Sequence, residues 1–165
     1  MAIELLQSVT IESNTTGITF DNIPSNGEEL LFYMKIRSNA DNCKIQFNDN
    51  AANDYSWVQS VYTGGGSANA LYVEQKSSFY GCSTANASSA GSQTYSATVL
   101  SLPAYARTTL EKVGNWYGGY KHPSTSFGKA ESGTFLYSEL PAISKVSFIT
   151  DTFYAGTTIT LYKVS

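Results

Sequence analysis

The residues best able to do chemistry in this chain are few and scattered. His122 is the single histidine. A Ser-His-Asp or Cys-His arrangement needs an imidazole to take the nucleophile's proton, so it would have to use this one. His122 stands beside Pro123 in a turn-rich stretch with no apolar shelter, which is the setting of a surface histidine. Glu28, Glu29, Glu74, Glu111, Glu131 and Glu139 offer carboxylates for a glycosidase pair, which needs two carboxyl groups roughly 5–9 Å apart. Their expected places, at strand ends and on solvent faces, argue against that use. Asp41, Asn48, Asp49, Asn50, Asn53 and Asp54 carry the oxygen ligands that calcium takes. They lack the EF-hand spacing, and Asn and Asp also close turns through their own side chains, so turn chemistry is expected of them.

Cys43 and Cys82 are the only cysteines, too few for a four-cysteine zinc site. Buried free thiols are the expectation and a disulfide the open alternative, because sequence alone does not bring two Cα atoms within ~7 Å. Gly64, Gly65 and Gly66 are not followed by the Lys-Ser/Thr of a phosphate loop and read as a hairpin tip. No GxSxG elbow or HExxH helix is present. The expectation is therefore no enzyme, with no catalytic residue, no cofactor and no metal.

The elements that must carry these residues read as strands. Apolar residues recur at period two, the spacing of a pleated strand with one buried face. Leu30, Phe32, Met34 and Ile36 share one face, with Tyr33, Lys35 and Arg37 on the other. Ile45 and Phe47 alternate with Lys44 and Gln46. Tyr55, Trp57 and Gln59 alternate with Ser56, Val58 and Ser60. Ile3, Leu5, Val9 and Ile11 are expected on one face of the first strand. Val146 and Phe148, then Ile159 and Leu161, close the series. Turn residues at 24–27, 48–50, 64–66, 121–124 and 155–156 separate the runs. Residues 77–93, rich in Ser, Ala, Gly and Asn, read as a long surface loop. About ten strands at roughly 8–15-residue spacing predict an all-β, antiparallel two-sheet β-sandwich of jelly-roll-like form. One domain is expected over residues 1–165.

With 165 residues, a net charge of −3 and charged residues at only 14%, the chain is poorly suited to holding phosphates, so no nucleic acid is expected. No apolar run is long enough to cross a membrane. The first residues lack the basic region of a cleaved leader, so a role outside the cell would need a route other than a cleaved leader. Aromatics are the informative excess, with Tyr 12, Phe 8 and Trp 2. A small core absorbs part of them, and Tyr and Trp left over are typical of interfaces or sugar platforms. Trp57, Tyr62, Trp116, Tyr117 and Tyr120 are the interface candidates, and Asn115–Tyr120 is the candidate sugar platform.

Several segments together resemble a family of small β-sandwich virion structural proteins of tailed bacteriophages, known as head decoration or tail proteins. Ile18-Thr19-Phe20-Asp21-Asn22-Ile23-Pro24 looks like its opening strand and turn. Residues 29–39, ELLFYMKIRSN, are similar to its next strand. Residues 44–57, KIQFNDNAANDYSW, resemble its RFN-G-D…N-Y-S-W stretch, with Asp49 and Asn50 where the family usually has Gly and Asp. Residues 95–105 resemble a strand ending in Pro or Asn followed by Tyr. Phe153, Ala155, Gly156, Leu161 and Tyr162 fall at the places of its F-x-A-G…L-Y ending. The resemblance spans nearly the whole chain. It implies a non-enzymatic protein of the phage particle, made in the host cytoplasm. A capsid-surface decoration (cement) protein is expected first, associating with itself as a homotrimer and with the major capsid or another virion protein. A tail-tip or tail-fibre module that binds a host receptor is one alternative. An extracellular carbohydrate-binding module, with a glycan as partner, is the other.

Overall fold

The computed structural model describes residues 1–40, 42–63, 67–86, 94–121 and 128–165. Thirteen strands follow one another: β1 (Ile3–Thr10), β2 (Thr15–Phe20), β3 (Glu29–Ser38), β4 (Asn42–Phe47), β5 (Tyr55–Thr63), β6 (Ser67–Lys76), β7 (Phe79–Ser83), β8 (Ala85–Asn86), β9 (Ser96–Pro103), β10 (Lys112–Lys121), β11 (Gly128–Tyr137), β12 (Val146–Phe153) and β13 (Thr158–Val164). No helix occurs among the described residues, and none is long and apolar enough there to cross a membrane.

The strands join in the order β6-β5-β11-β10-β9-β3-β12-β4-β7, with β13 and then β1 added beside β3, and β2 beside β12. Every pairing is antiparallel except that of the short β8 with β3. The sheet curls strongly, because β3 serves two neighbourhoods. Along most of its length it lies between β9 and β13. At its far end Ser38 pairs instead with Phe153 of β12. Ser38 Oγ is hydrogen-bonded there to the Ala40 carbonyl at 2.7 Å and the Thr84 hydroxyl at 2.9 Å. The expected pair of separate sheets is thus one continuous half-barrel sheet, bridged at Ser38. All-β antiparallel architecture is found, and the strands exceed the expected ten.

The period-two runs form the inner face as read. Leu30, Phe32 and Ile36 are fully buried, as are Ile45, Phe47 and Tyr55. Side chains from the β2-β12-β4-β7 limb meet those of the larger limb across an aromatic seam. Phe32 lies edge-on to Phe20 and Phe148, with centroids 5.6 and 5.3 Å apart. Phe79 stacks on Phe135 at 4.1 Å and touches Trp116 at 6.0 Å. Rings of this size dominate the burial that drives such a fold.

Two expectations need correction. A bulge between Leu5 and Gln7 breaks the phase of β1. Leu6, Val9 and Ile11 pack on the core, while Ile3 and Leu5 stay exposed, because an extra residue in a strand turns the following side chains to the opposite face. The supposed loop at 77–93 also contains β7 and β8, and Phe79 in it is fully buried. Residues 87–93 of that stretch lie outside the described residues.

Candidate binding face

Among the described residues, the outer face of the larger limb carries several exposed rings. Its register sets side chains in transverse rows. Thr160 of β13 faces Tyr33 of β3, Tyr33 faces Val99 of β9, and Val99 faces Tyr117 of β10. Tyr117 faces Ser132 of β11, and Ser132 faces Ser60 of β5. The row crosses six strands, ~24 Å at ~4.8 Å per strand spacing. Tyr33 is 50% exposed and Tyr117 59%. Both rings stand on rigid strands, which makes their placement cheap in entropy compared with a loop.

A shallow groove runs between these two tyrosines, lined by Lys35, Ala97, Val99 and Thr158 as well. Beyond Ala97 the same row continues through Gly119 to Ala130, so small residues follow the groove toward β11. A Cβ on Gly119 would come within 2.4 Å of the Lys129 carbonyl oxygen. Tyr62 of β5, opposite Ala130, stands exposed farther along that row. On the other side Tyr33 meets Tyr162 edge-on at 5.6 Å, and Leu31, Tyr162 and Ile3 line a second apolar hollow. The face combines exposed rings, hydroxyls and short aliphatic side chains, with Lys35 as the charge in the groove. Lys35 Nζ sits 4.1 Å from the centre of the Tyr95 ring, a cation–π contact that holds the amine at the groove's edge.

The five interface candidates separate by strand phase. Tyr62 and Tyr117 lie on the outer face, 53% and 59% exposed. Trp57, Trp116 and Tyr120 point inward and are buried, so they are core residues and cannot anchor a surface contact. Asn115–Tyr120 is one β10 segment whose side chains alternate in and out, so it is no continuous sugar platform. Tyr33, Val99 and Tyr162 are not among the interface candidates of the sequence, although Tyr33 is expected there on the solvent side of β3 and Tyr162 carries part of the resemblance.

Several of the residues weighed for catalysis and metal binding have structural partners. Glu28 pairs with Arg107 at 3.3 Å, and Glu29 accepts from the Ser101 hydroxyl. Glu131, expected on a solvent face, is buried beside Lys129 and accepts from Gln59 Nε2 at 3.0 Å. Such a carboxylate is held by its neighbours and has no open side for a substrate. Glu111 is exposed and Glu139 half-buried; the Glu74 side chain, Asp41, Gly64–Gly66 and His122 lie outside the described residues. The turn after β4 uses its oxygens internally. Asn48 Oδ1 accepts from the Ser144 and Lys145 backbone N–H groups at 2.9 and 3.1 Å. Asp49 pairs with Lys145 at 2.7 Å, and Asn50 Nδ2 donates to Asp54 at 2.8 Å. Asn48 and Asp49 adopt φ of 51° and 57°, the left-handed turn conformation that Asn and Asp tolerate. Among the described residues no group of three or more His, Cys, Asp or Glu side chains converges as a metal site.

Titration follows burial. Desolvation first, against the Phe47 backbone hydrogen bond, pushes the Tyr55 phenol well above its ordinary range. Burial likewise raises Tyr105 and Tyr137 and lowers the Lys112 amine, which donates to the Leu110 and Leu140 carbonyls. None of these groups lies on the outer face. No family model, no curated protein and no solved structure matches the chain.

Proposed function

We propose that this chain is a non-enzymatic structural protein of a tailed-bacteriophage particle, a capsid-surface decoration protein that stabilises the head. The observation that carries the reading is the Tyr33–Val99–Tyr117 row, a rigid, nearly uncharged, aromatic-bearing surface on the outside of the sheet. Exposed rings gathered in one contiguous row are the kind of surface that contact sites use. A decoration protein works by binding neighbours, so the outer face presses on the major capsid protein and copies meet around a local symmetry axis, three to a cluster. Closed symmetry lets one pair of surfaces serve every copy.

A second reading is a carbohydrate-binding module, on the phage tail or on an extracellular protein. It is favoured by Tyr33 and Tyr117 flanking a shallow groove with hydroxyls at its rim, since sugars stack on exposed rings. Cosedimentation of the purified chain with purified heads and, separately, tails tests the choice. Saturable uptake by heads that Tyr117→Arg abolishes is the expected result. Uptake by tails alone, or by neither together with a positive glycan array, overturns head decoration.

A further inference from the structure

Cys43 and Cys82 were left between free thiols and a disulfide by the sequence, and the fold places them opposite one another. They are direct partners in the antiparallel β4–β7 pairing. Opposed residues in such a pair have Cα atoms about 4.5–5.5 Å apart, inside the roughly 4.4–6.8 Å span of natural disulfides. Both side chains are on the inner face, 0% and 1% exposed. That shared face depends on an irregularity. The register shifts just after Cys43, so Lys44 pairs with Tyr80 and Gly81 is the extra residue of β7. A bulge of one residue restores the phase that a regular strand would have lost. Without it Cys82 would point away from Cys43. Gly81 also fits because a Cβ there would meet Phe79 and Ile45 atoms at 2.4 and 2.6 Å. Cys82 Sγ lies 3.9 Å from the Cys43 carbonyl oxygen, so the sulfur already leans across the pair.

We propose that Cys43 and Cys82 are a latent cross-strand disulfide, closed by a small-molecule disulfide such as oxidised glutathione. The thiolate of one cysteine attacks a glutathione sulfur, expelling one glutathione thiolate and leaving a mixed disulfide. The second cysteine's thiolate attacks the protein sulfur of that bond and expels the other glutathione. Two protein thiols lose two protons and two electrons, and the oxidant becomes two thiols. Burial, the first cause, and the neighbouring Cys43 thiol keep the Cys82 thiol protonated at neutral pH. Exchange in the folded chain is therefore slow, since the thiolate is the attacking species. It proceeds when β7, an end strand of the sheet, opens or when the chain refolds. The bond then ties that last strand of the curl to β4 over a long loop, the case in which a crosslink restricts the unfolded chain most. The inference stands whatever surface the protein binds.

The test is refolding of the full chain in oxidised and reduced glutathione, followed by alkylation and intact mass measurement without reductant. The expected species has lost two hydrogens, carries no alkyl group and no glutathione, and yields one linked peptide pair containing Cys43 and Cys82. Its Tm lies about 5–10 °C above that of the reduced chain, and Cys82→Ser shows neither change. Two alkylated thiols, a retained glutathione, crosslinks between chains, or a bond that leaves Tm unchanged or lowers it would each overturn the proposal.

Discussion

Tyr33 and Tyr117 stand in one row of the outer face with only Val99 between them. Their strands are not neighbours in sequence, and β9 brings them together. Both rings are about half exposed, so their contribution to folding is small and their contribution to binding can be large. Tyr33→Arg and Tyr117→Arg should change unfolding free energy by less than about 1 kcal/mol. The same changes should weaken binding to purified heads by at least about 1–2 kcal/mol. Urea denaturation and quantitative cosedimentation with heads separate the two effects. Equal loss of both would place these rings in the core.

Trp116 offers the opposite case. It is 1% exposed and packed on Phe79, so Trp116→Ala should cost about 3–5 kcal/mol of stability. Phe32→Ala, in the same core, should fall in the same range. Trp116 Nε1 is buried and has no hydrogen-bond partner among the described residues. Trp116→Phe removes that unpaired donor along with part of the ring, and should cost well under half as much as alanine. Chemical denaturation of the three variants checks the order.

Alkali should unfold the protein through its buried phenols. Tyr55, Tyr105 and Tyr137 are raised in the folded state, first by desolvation. Their neutral forms therefore favour folding, and this stability is intact below the unfolded value near pH ~10. Above it the unfolded chain loses protons that the folded chain keeps, and stability falls as pH rises. Cys82 acts in the same sense from slightly lower pH. Lys112, whose folded value is lowered, gains with pH up to about 10.5 and then adds nothing further. The net expectation is a steep loss above about pH 10, shallower in Tyr55→Phe. Denaturant midpoints across alkaline pH read it directly, and a flat profile would contradict the burial of these phenols.

Chelation should leave the melting temperature unchanged. Asp49 is neutralised by Lys145, and Asn48 Oδ1 is taken by two backbone donors. A fall of several degrees in a chelator scan would show that the turn after β4 holds an ion.

The inner face was legible because its signal is local. Leu30, Phe32, Met34 and Ile36 alternate within one strand, and so do Tyr55, Trp57 and Gln59. That same alternation places Trp57 inside, and the phase of Trp116 follows from its exposed neighbour Tyr117 once β10 is recognised as a strand. The aromatic excess misled where composition was used in place of phase, because a curled sheet with an aromatic seam holds more rings than a simple sandwich core. What depends on pairing was out of reach. The bulge at Leu6, the Ser38–Phe153 bridge and the facing of Cys43 and Cys82 join residues far apart in the chain. The Tyr33–Val99–Tyr117 row needed three strands in register before it existed as a surface.

We propose that the outer face, centred on Tyr33 and Tyr117, seats this protein on a phage head. A density map of the virion that carries the chain tests it most directly. Copies clustered at local symmetry axes of the head, with Tyr33 and Tyr117 pressed against the major capsid protein, are the expected result. Copies confined to the tail, or a head-bound copy whose outer face looks into solvent, would contradict it.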